Sequence, residues 1–486
     1  MPTLAKSFLW LTAAEFLFYA SGYLVHMGAG RILGVEDYGR YTLVITITVL
    51  VANLIGAGLP VAMGKFLSAS RGASEEAILA IRRKFARWQA WFLAALGGGF
   101  FLLANPLASA LGDPTLAPLF ALASLIIPAY GADLHYFHYY SGRKRFDVQA
   151  WLKTARSVLR VSVILSLAVW FHLAGMIAGY ILVPACVFAL AWAIDRWWLR
   201  KRFARENAGD ASAETPDVSL SSAAKLAMHT VVFLAIFEVL MSFDLYVLKA
   251  VLGDDGIVGE YGAALTVARI PTFLFYALTV MLLPVISEAG AMKDAKRARD
   301  ITGMVMKGLI IVSVPMAAVM AAFAEPILGI FFGAEFLGAS GMLAVLGLAT
   351  ALLTPLFVLG FAFLGASRGD VPVRIGTSAL LLHIVLAAFF ISAAGALGAA
   401  WAKVFAGALV FVCILLALDR VFGARLRWHA ALIPMLLGGI LYGAFSLFPA
   451  DLVGLFVIAP IGTAIYFLAL FLLRVVTPRD FALFSR

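Results

Sequence analysis

The chain has 486 residues, of which 63% are hydrophobic and only 13% charged, against roughly 45–50% and about 25% in a soluble globular protein. These proportions exclude a soluble enzyme, a disulfide-rich secreted scaffold and a nucleic-acid-binding protein. The net charge of +10 has an ordinary explanation in the basic cytoplasmic loops of a membrane protein. At about 20 apolar residues per crossing, the hydrophobic content suffices for about 14 helices of an all-α, polytopic membrane fold.

In chain order, apolar runs predict spans over residues 8–28, 41–63, 88–105, 117–139, 157–172, 175–195, 226–250, 260–284, 304–323, 341–364, 375–393, 397–418, 430–448 and 453–474. A single lysine, Lys6, precedes the first run and no small-residue cleavage site follows, which reads as an uncleaved helix rather than a signal peptide. With both termini cytoplasmic, 32 of the 37 Lys and Arg residues fall on the inner side. They are Lys6, the groups at 65–87, 143–160, 196–225 and 293–307, and Arg368, Arg374, Arg420, Arg425, Arg427, Arg474, Arg479 and Arg486. The outer loops are short and carry acids instead, among them Glu36, Asp37, Asp113, Asp254, Asp255 and Asp451. That asymmetry predicts the orientation. The runs at Arg82-Arg83-Lys84, Arg143-Lys144-Arg145 and Arg200-Lys201-Arg202 read as topology determinants with a secondary attraction for anionic lipid headgroups. Cys186 and Cys413 sit in apolar runs and give neither metal nor disulfide spacing.

The longest polar stretch, about 196–225, has the composition of a linker. It divides the chain into an N-lobe (1–200, spans 1–6), the linker itself (201–225), a C-lobe (226–418, spans 7–12) and a terminal piece (419–486) with spans 13 and 14. The halves resemble one another. Glu15 and Tyr23 recur as Glu238 and Tyr246 at one offset of 223, and His26 is matched by Lys249. Gly34 pairs with Gly253, Tyr41 with Tyr261, Pro60 with Pro284, Asn105-Pro106 with Glu325-Pro326 and Ala174-Gly175 with Ala394-Gly395, at offsets of 219–224. Six spans separate the copies, so the expected arrangement is two parallel six-helix lobes related by an axis along the membrane normal, an alternating-access layout.

Arg31-Ile-Leu-Gly34-Val-Glu-Asp-Tyr38-Gly39-Arg-Tyr41-Thr-Leu, followed by Gly58-Leu-Pro60 and Lys65-Phe66, resembles the opening signature of the polysaccharide-biosynthesis branch of the multidrug/oligosaccharidyl-lipid/polysaccharide exporter superfamily, the Wzx-type flippases. The resemblance implies translocation of a polyprenyl-pyrophosphate-linked oligosaccharide from the inner to the outer leaflet of a bacterial plasma membrane, by alternating access and without a cofactor. It implies a monomer embedded among membrane lipids, driven by a proton or sodium gradient and associating with polysaccharide-assembly proteins. It implies no enzyme activity and no nucleic-acid partner.

An ionisable group inside a span is costly and is a functional candidate for that reason. Glu15 and His26 are 11 residues apart, about three helical turns, so they share one face about 16 Å apart, as do Glu238 and Lys249. Two readings of the glutamates stand side by side: a half-buried carboxylate that takes up a proton, or a partner in an interhelical ion pair. Asp244 is a third ion-coupling candidate. Arg269, near the middle of span 8, is the first candidate for the pyrophosphate because its planar fork suits phosphate oxygens; a pair with Glu238 or Asp244 is the alternative. Lys403, Arg31, Lys249 and His26 follow as outer-vestibule candidates. His383 reads as a packed neutral histidine. Asp133, His135 and His138 offer too few ligands for a metal and, with Tyr130, Tyr136, Tyr139 and Tyr140, read as an interfacial aromatic cluster. Gly58 to Phe66 fails the P-loop spacing. A cation-coupled multidrug exporter is the nearest alternative function. A membrane glycan polymerase or ligase is the other, and the short outer loops argue against it.

Overall fold

The computed structural model describes residues 4–70, 74–199, 220–426 and 428–476. Residues 201–219 of the linker expected at 201–225, the run Arg200-Lys201-Arg202, Arg427 and the C-terminal Arg479 and Arg486 lie outside the described residues, and residues 220–225 are helical. Among those described the structure is all-helical. The elements are α1 (Leu4–Ala57), α2 (Leu59–Ala69), α3 (Glu75–Leu102), α4 (Ala104–Ala110), α5 (Ala117–Ala123), α6 (Ile126–Gly142), α7 (Phe146–Ile194) and α8 (Leu220–Leu252). There follow α9 (Asp255–Ala268), α10 (Ile270–Leu274), α11 (Tyr276–Ala291), α12 (Ala295–Ala322), α13 (Ala324–Phe331), α14 (Ser340–Gly365), α15 (Asp370–Phe422), α16 (Trp428–Phe445) and α17 (Ala459–Leu472).

Three of these helices are far longer than a bilayer is thick. A straight helix of 54 residues would run about 80 Å, against about 30 Å of hydrocarbon. Each contains a backbone break: Gly34 in α1, His172 in α7 and Ala394-Gly395 in α15. Each also folds back on itself. The rings of His26 and Tyr41 lie 5.6 Å apart, those of Phe390 and Phe405 stack at 5.7 Å, and a Cβ on Gly179 would stand 2.8 Å from the Cα of Ile164. Residues 15 apart in a straight helix would be about 22 Å apart. All three are helical hairpins, each contributing two crossings.

The duplication is written in the backbone as well. Left-handed residues recur in pairs 219–223 positions apart: Gly34 with Gly253, Gly112 with Gly333, Lys144 with Ser367, and His172 with Gly395. Helix starts are set by local chemistry. Ser74 caps Ala77 N–H ahead of Glu75 and Glu76, Asp254 caps Ile257 N–H at 3.0 Å and Asp294 caps Arg297 N–H at 2.9 Å, each satisfying a donor the helix leaves open.

The chain forms two compact units, residues 1–235 and 236–486, with the boundary inside α8. In the first, both arms of α1 pack on α7, and α6 packs on α7 and α2. Gly64 and Gly142 allow the last of these contacts: a Cβ on Gly142 would meet the Gly64 carbonyl oxygen at 2.8 Å. These glycines therefore serve helix packing. In the second unit α14 is central, packed on α12, α11 and α15, while α16 lies on α12 and α17 on α16. The crossing expected at 260–284 is segmented into α9, α10 and α11, with joints at Arg269 and Phe275. Pro271 has no N–H to donate, and the Thr350 hydroxyl supplies a local bond, donating to Ala268 O at 2.7 Å. Hydroxyls of this kind satisfy backbone in broken membrane helices.

Tyr136, Tyr139 and Tyr140 do not face outward as the rings of an interfacial belt would. They sit in the buried cluster with Phe85, Leu152 and Val187. Tyr140 donates to Ala191 O at 2.9 Å, and Arg82 lies over the Tyr136 and Tyr139 rings while bonded to Asp195 at 2.6 Å. Aromatic runs at a helix end signal a bilayer interface only when the rings face lipid; here they face α3 and α7.

Candidate functional site

The N-terminal unit carries its charge on α7. After the left-handed turn at Lys144, Arg145 grips Asp147 through two bonds of 2.9 and 2.7 Å. These bonds hold the Asp147 carboxyl below its usual range. Beyond them come Lys153, Arg156 and Arg160, spaced by three and four and therefore on one stripe of the helix. Measured from the break at His172, Arg160 lies about 18 Å along the axis and Arg156 about 24 Å, both within a hydrocarbon layer of about 30 Å. The sequence reading counted both with the inner basic group at 143–160, although Arg160 also fell within the predicted span 157–172. The structure corrects this, because α7 continues unbroken from Phe146 to the turn.

All three cations converge on the ring of Phe18, at 5.0 Å for Lys153, 5.9 Å for Arg156 and 5.2 Å for Arg160. A ring face attracts cations, and more strongly where water is excluded. Lys153 is ion-paired with Glu15, and Arg156 with Asp133 of α6. Arg160 differs. It lies over the Tyr180 ring at 5.7 Å, and among the described residues no carboxylate pairs with it. Three cations thus meet two carboxylates, leaving the cluster one anion short. Glycine at position 22 leaves room for the odd cation, since a Cβ there would stand 3.2 Å from an Arg160 Nη. We expect Gly22→Ala to be tolerated by a small shift of the guanidinium. Gly22→Leu is expected to displace it and reduce transport with little change in unfolding temperature, read by paired transport and melting assays.

The outer half of the same unit is hydroxyl-rich. His26 Nδ1 lies 3.0 Å from the Tyr38 hydroxyl, and the Tyr41 and Tyr180 hydroxyls share a bond of 2.8 Å. Tyr38 and Tyr41 are fully buried. Arg31 is exposed, three residues before the Gly34 break. His135 Nδ1 bonds Gln89 Oε1 at 2.9 Å, and Gln89 donates to Gly131 O at 2.6 Å. No group of three or more potential metal ligands exists among the described residues.

In the C-terminal unit the predicted residues form two adjoining groups. Asp244 and Lys403 are ion-paired at 2.8 Å, both without solvent exposure. Tyr261 donates to the same carboxylate, and Lys403 also donates to Met241 O at 2.8 Å. Lys403 was expected in an outer vestibule. It is instead sealed inside the unit, because the Tyr261–Asp244 pair and the carbonyl of α8 give its ammonium a complete set of acceptors. His383 is also fully buried, with Nε2 3.9 Å from Asp244. Arg269, at the joint between α9 and α10, donates to the same Met241 carbonyl at 2.9 Å and to Ser242 Oγ at 2.8 Å. Its other arm is 4.0 Å from Glu238, a loose approach. Lys249 closes on Asp255 at 2.6 Å and is 3% exposed, so it too is occupied within its own unit.

Glu15 and Glu238, equivalent in the duplication, each face a cation of their own unit. Those cations come from non-equivalent helices: Lys153 from α7, Arg269 from the α9–α10 joint. The sequence reading missed Lys153, Arg156 and Arg160. Their signal was available, because the predicted span 157–172 is only about 24 Å long and cannot cross about 30 Å unless it extends inward through Arg156.

Comparison with known proteins bears on this arrangement. Residues 4–289 match the family described as polysaccharide biosynthesis protein. The succinoglycan biosynthesis transport protein ExoT of Rhizobium meliloti (strain 1021) is 25% identical over 329 residues, which cover 67% of this chain and 62% of that protein. The match thus spans under two thirds of that relative's length. Among solved structures, the lipid II flippase MurJ in an inward closed conformation superposes with a TM-score of 0.73 at 15% identity, over 95% of this chain and 97% of that one. An inward-facing multidrug resistance MATE family transporter of the MOP superfamily gives 0.65 at 14% identity, over 87% and 94%. At such identities the likeness is one of fold. The chain belongs to the polysaccharide biosynthesis protein family, in the multi-pass all-α membrane fold shared with MurJ and the MATE transporters.

Proposed function

We propose that this protein is a flippase that carries a polyprenyl-pyrophosphate-linked oligosaccharide from the inner to the outer leaflet of a bacterial plasma membrane by alternating access. The observation that carries the reading is Arg160, an arginine at mid-membrane depth with which no carboxylate pairs among the described residues, one turn from Arg156 on the same stripe. A guanidinium held by the rings of Phe18 and Tyr180 costs free energy in a bilayer unless an anion completes it. Two guanidinia in that spacing suit the oxygens of a pyrophosphate. Arg269, on a non-equivalent helix, is the candidate cation of the C-lobe. In this reading Glu15 and Asp133 hold Lys153 and Arg156 between transport events, and an inward proton or sodium flux through Glu15 or Glu238 is the coupling to be sought. An excess of cations disfavours the multidrug-exporter alternative, whose cationic cargo such a stripe would repel.

The test is reconstitution into proteoliposomes with a fluorescent polyprenyl-pyrophosphate oligosaccharide whose sugars become accessible to an added, membrane-impermeant glycosidase. The expected result is time-dependent cleavage of the inner-leaflet pool, absent from protein-free vesicles. No cleavage, together with uptake of a cationic dye, would transfer the assignment to the exporter class.

A further inference from the structure

The C-terminal unit contains an elongated crevice of about 540 Å³ that none of the charged groups above enters. Its walls are Leu309 to Ala321 of α12, Ala344 to Pro355 of α14, Trp401 and Phe411 of α15, and Met435 to Tyr442 of α16. The lining is apolar apart from the Ser313 and Tyr442 hydroxyls and the Trp401 indole. Small residues make the space: Ala317, Ala318, Ala344 and Ala351 on two facing helices, Gly438 and Gly439 on the third.

Three features specify what fits. The first is depth. The wall on α12 is about 18 Å long and that on α14 about 16 Å, close to half of a hydrocarbon layer of about 30 Å. On each of the four helices the wall runs from about the middle toward the end nearest the 394–395 turn, so the crevice lies within a single leaflet. The second is the mouth. Trp401 is 42% exposed and Tyr442 46%, and both lie toward that end, where amphipathic rings mark the headgroup level. The third is capacity. If a methylene takes about the volume of a liquid water, about 30 Å³, then the crevice holds about eighteen of them, the size of one common fatty acyl chain and a small part of a polyprenyl tail.

We infer that this crevice binds one acyl chain of a bilayer phospholipid, in the leaflet on the side of the 394–395 turn, with the glycerol and headgroup beside Trp401 and Tyr442. The chain fills space that α12, α14 and α16 leave open and ties α16 to the rest of the unit.

Gly439 provides the test, because a Cβ there meets no atom within 4 Å; Gly439→Phe therefore fills the crevice instead of striking its wall. The full chain, purified and delipidated, is titrated with palmitoyl-oleoyl-phosphatidylethanolamine and followed by native mass spectrometry and thermal unfolding. One tightly retained phospholipid and a raised midpoint are expected for the native sequence, with didecanoyl-phosphatidylethanolamine much weaker. Retention is expected to fall to background in Gly439→Phe. Brominated acyl chains are expected to quench emission that disappears in Trp401→Phe, a readout in the native sequence that survives even if Gly439→Phe fails to fold. Equal retention by Gly439→Phe and the native sequence, or no quenching at Trp401, overturns the assignment. So does displacement of the phospholipid by polyprenyl phosphate, which would make the crevice a seat for a prenyl chain.

Discussion

Arg160→Ala is expected to slow flipping sharply while leaving the protein in the membrane at its normal level. The guanidinium makes no ion pair whose loss would strand a carboxylate, so its removal disturbs the fold less than removal of Arg156, which would leave Asp133 buried and unpaired. What disappears is the set of charge-assisted bonds to the phosphate oxygens. At about 1.5–3 kcal/mol for such contacts, and about 1.4 kcal/mol per tenfold, transport should fall by roughly ten- to a hundredfold. Arg160→Lys keeps the charge but loses the planar fork and is expected to fall between the two. The measurement is complementation of a strain lacking its flippase, with immunoblots of the membrane fraction and the proteoliposome rate as controls. Full complementation by Arg160→Ala would remove this residue from the substrate path.

The largest stability effect is expected at the other buried charge pair. Lys403→Ala leaves the Asp244 carboxylate with no solvent exposure and no counter-ion, a change that typically costs about 3–5 kcal/mol. The variant should unfold at a markedly lower temperature and accumulate poorly. Asp244→Leu combined with Lys403→Met replaces both charges by apolar groups of similar size and should recover most of the loss, since well-packed apolar replacements of a buried pair are often neutral. Tyr261→Phe should cost less, about 1 kcal/mol, because the carboxylate keeps Lys403. A thermal denaturation series on the four proteins measures these differences. Equal melting of Lys403→Ala and the native sequence would show that the pair does not hold this unit together.

The two predictions also mark where the sequence was readable. The crossings were legible because hydropathy and length alone decide them. The hairpin turns were foreshadowed by Gly34 and Ala394-Gly395, and the duplication by Glu15 and Glu238. Arg156 was hidden for the same reason, since a hydropathy reading ends a span at a charge, and Arg160, though inside the predicted span 157–172, was counted with the inner basic group. The partner of Lys403 was out of reach in another way. Asp244 is 159 residues earlier, and nothing local to either position selects one partner over Glu238 or a solvent-filled vestibule. Asp133 was visible, but only as a poor metal ligand beside two histidines. Its role depends on Arg156, which the loop assignment had placed elsewhere.

The segmentation of α9, α10 and α11 has a mechanical consequence. In the N-terminal unit the matching crossing is interrupted once, at Gly58, whereas here the rod has joints at both Arg269 and Phe275, five residues of helix apart. A rod with two closely spaced joints can swivel or offset its ends more readily than a straight one, because Pro271 donates no bond and the bonds at Arg269, Phe273 and Phe275 are long, at 3.2–3.3 Å. One joint is also a charged residue. Any rotation of α9 against α11 re-aims the Arg269 guanidinium and strains its bonds to Met241 and Ser242, so motion and electrostatics share a single hinge pin.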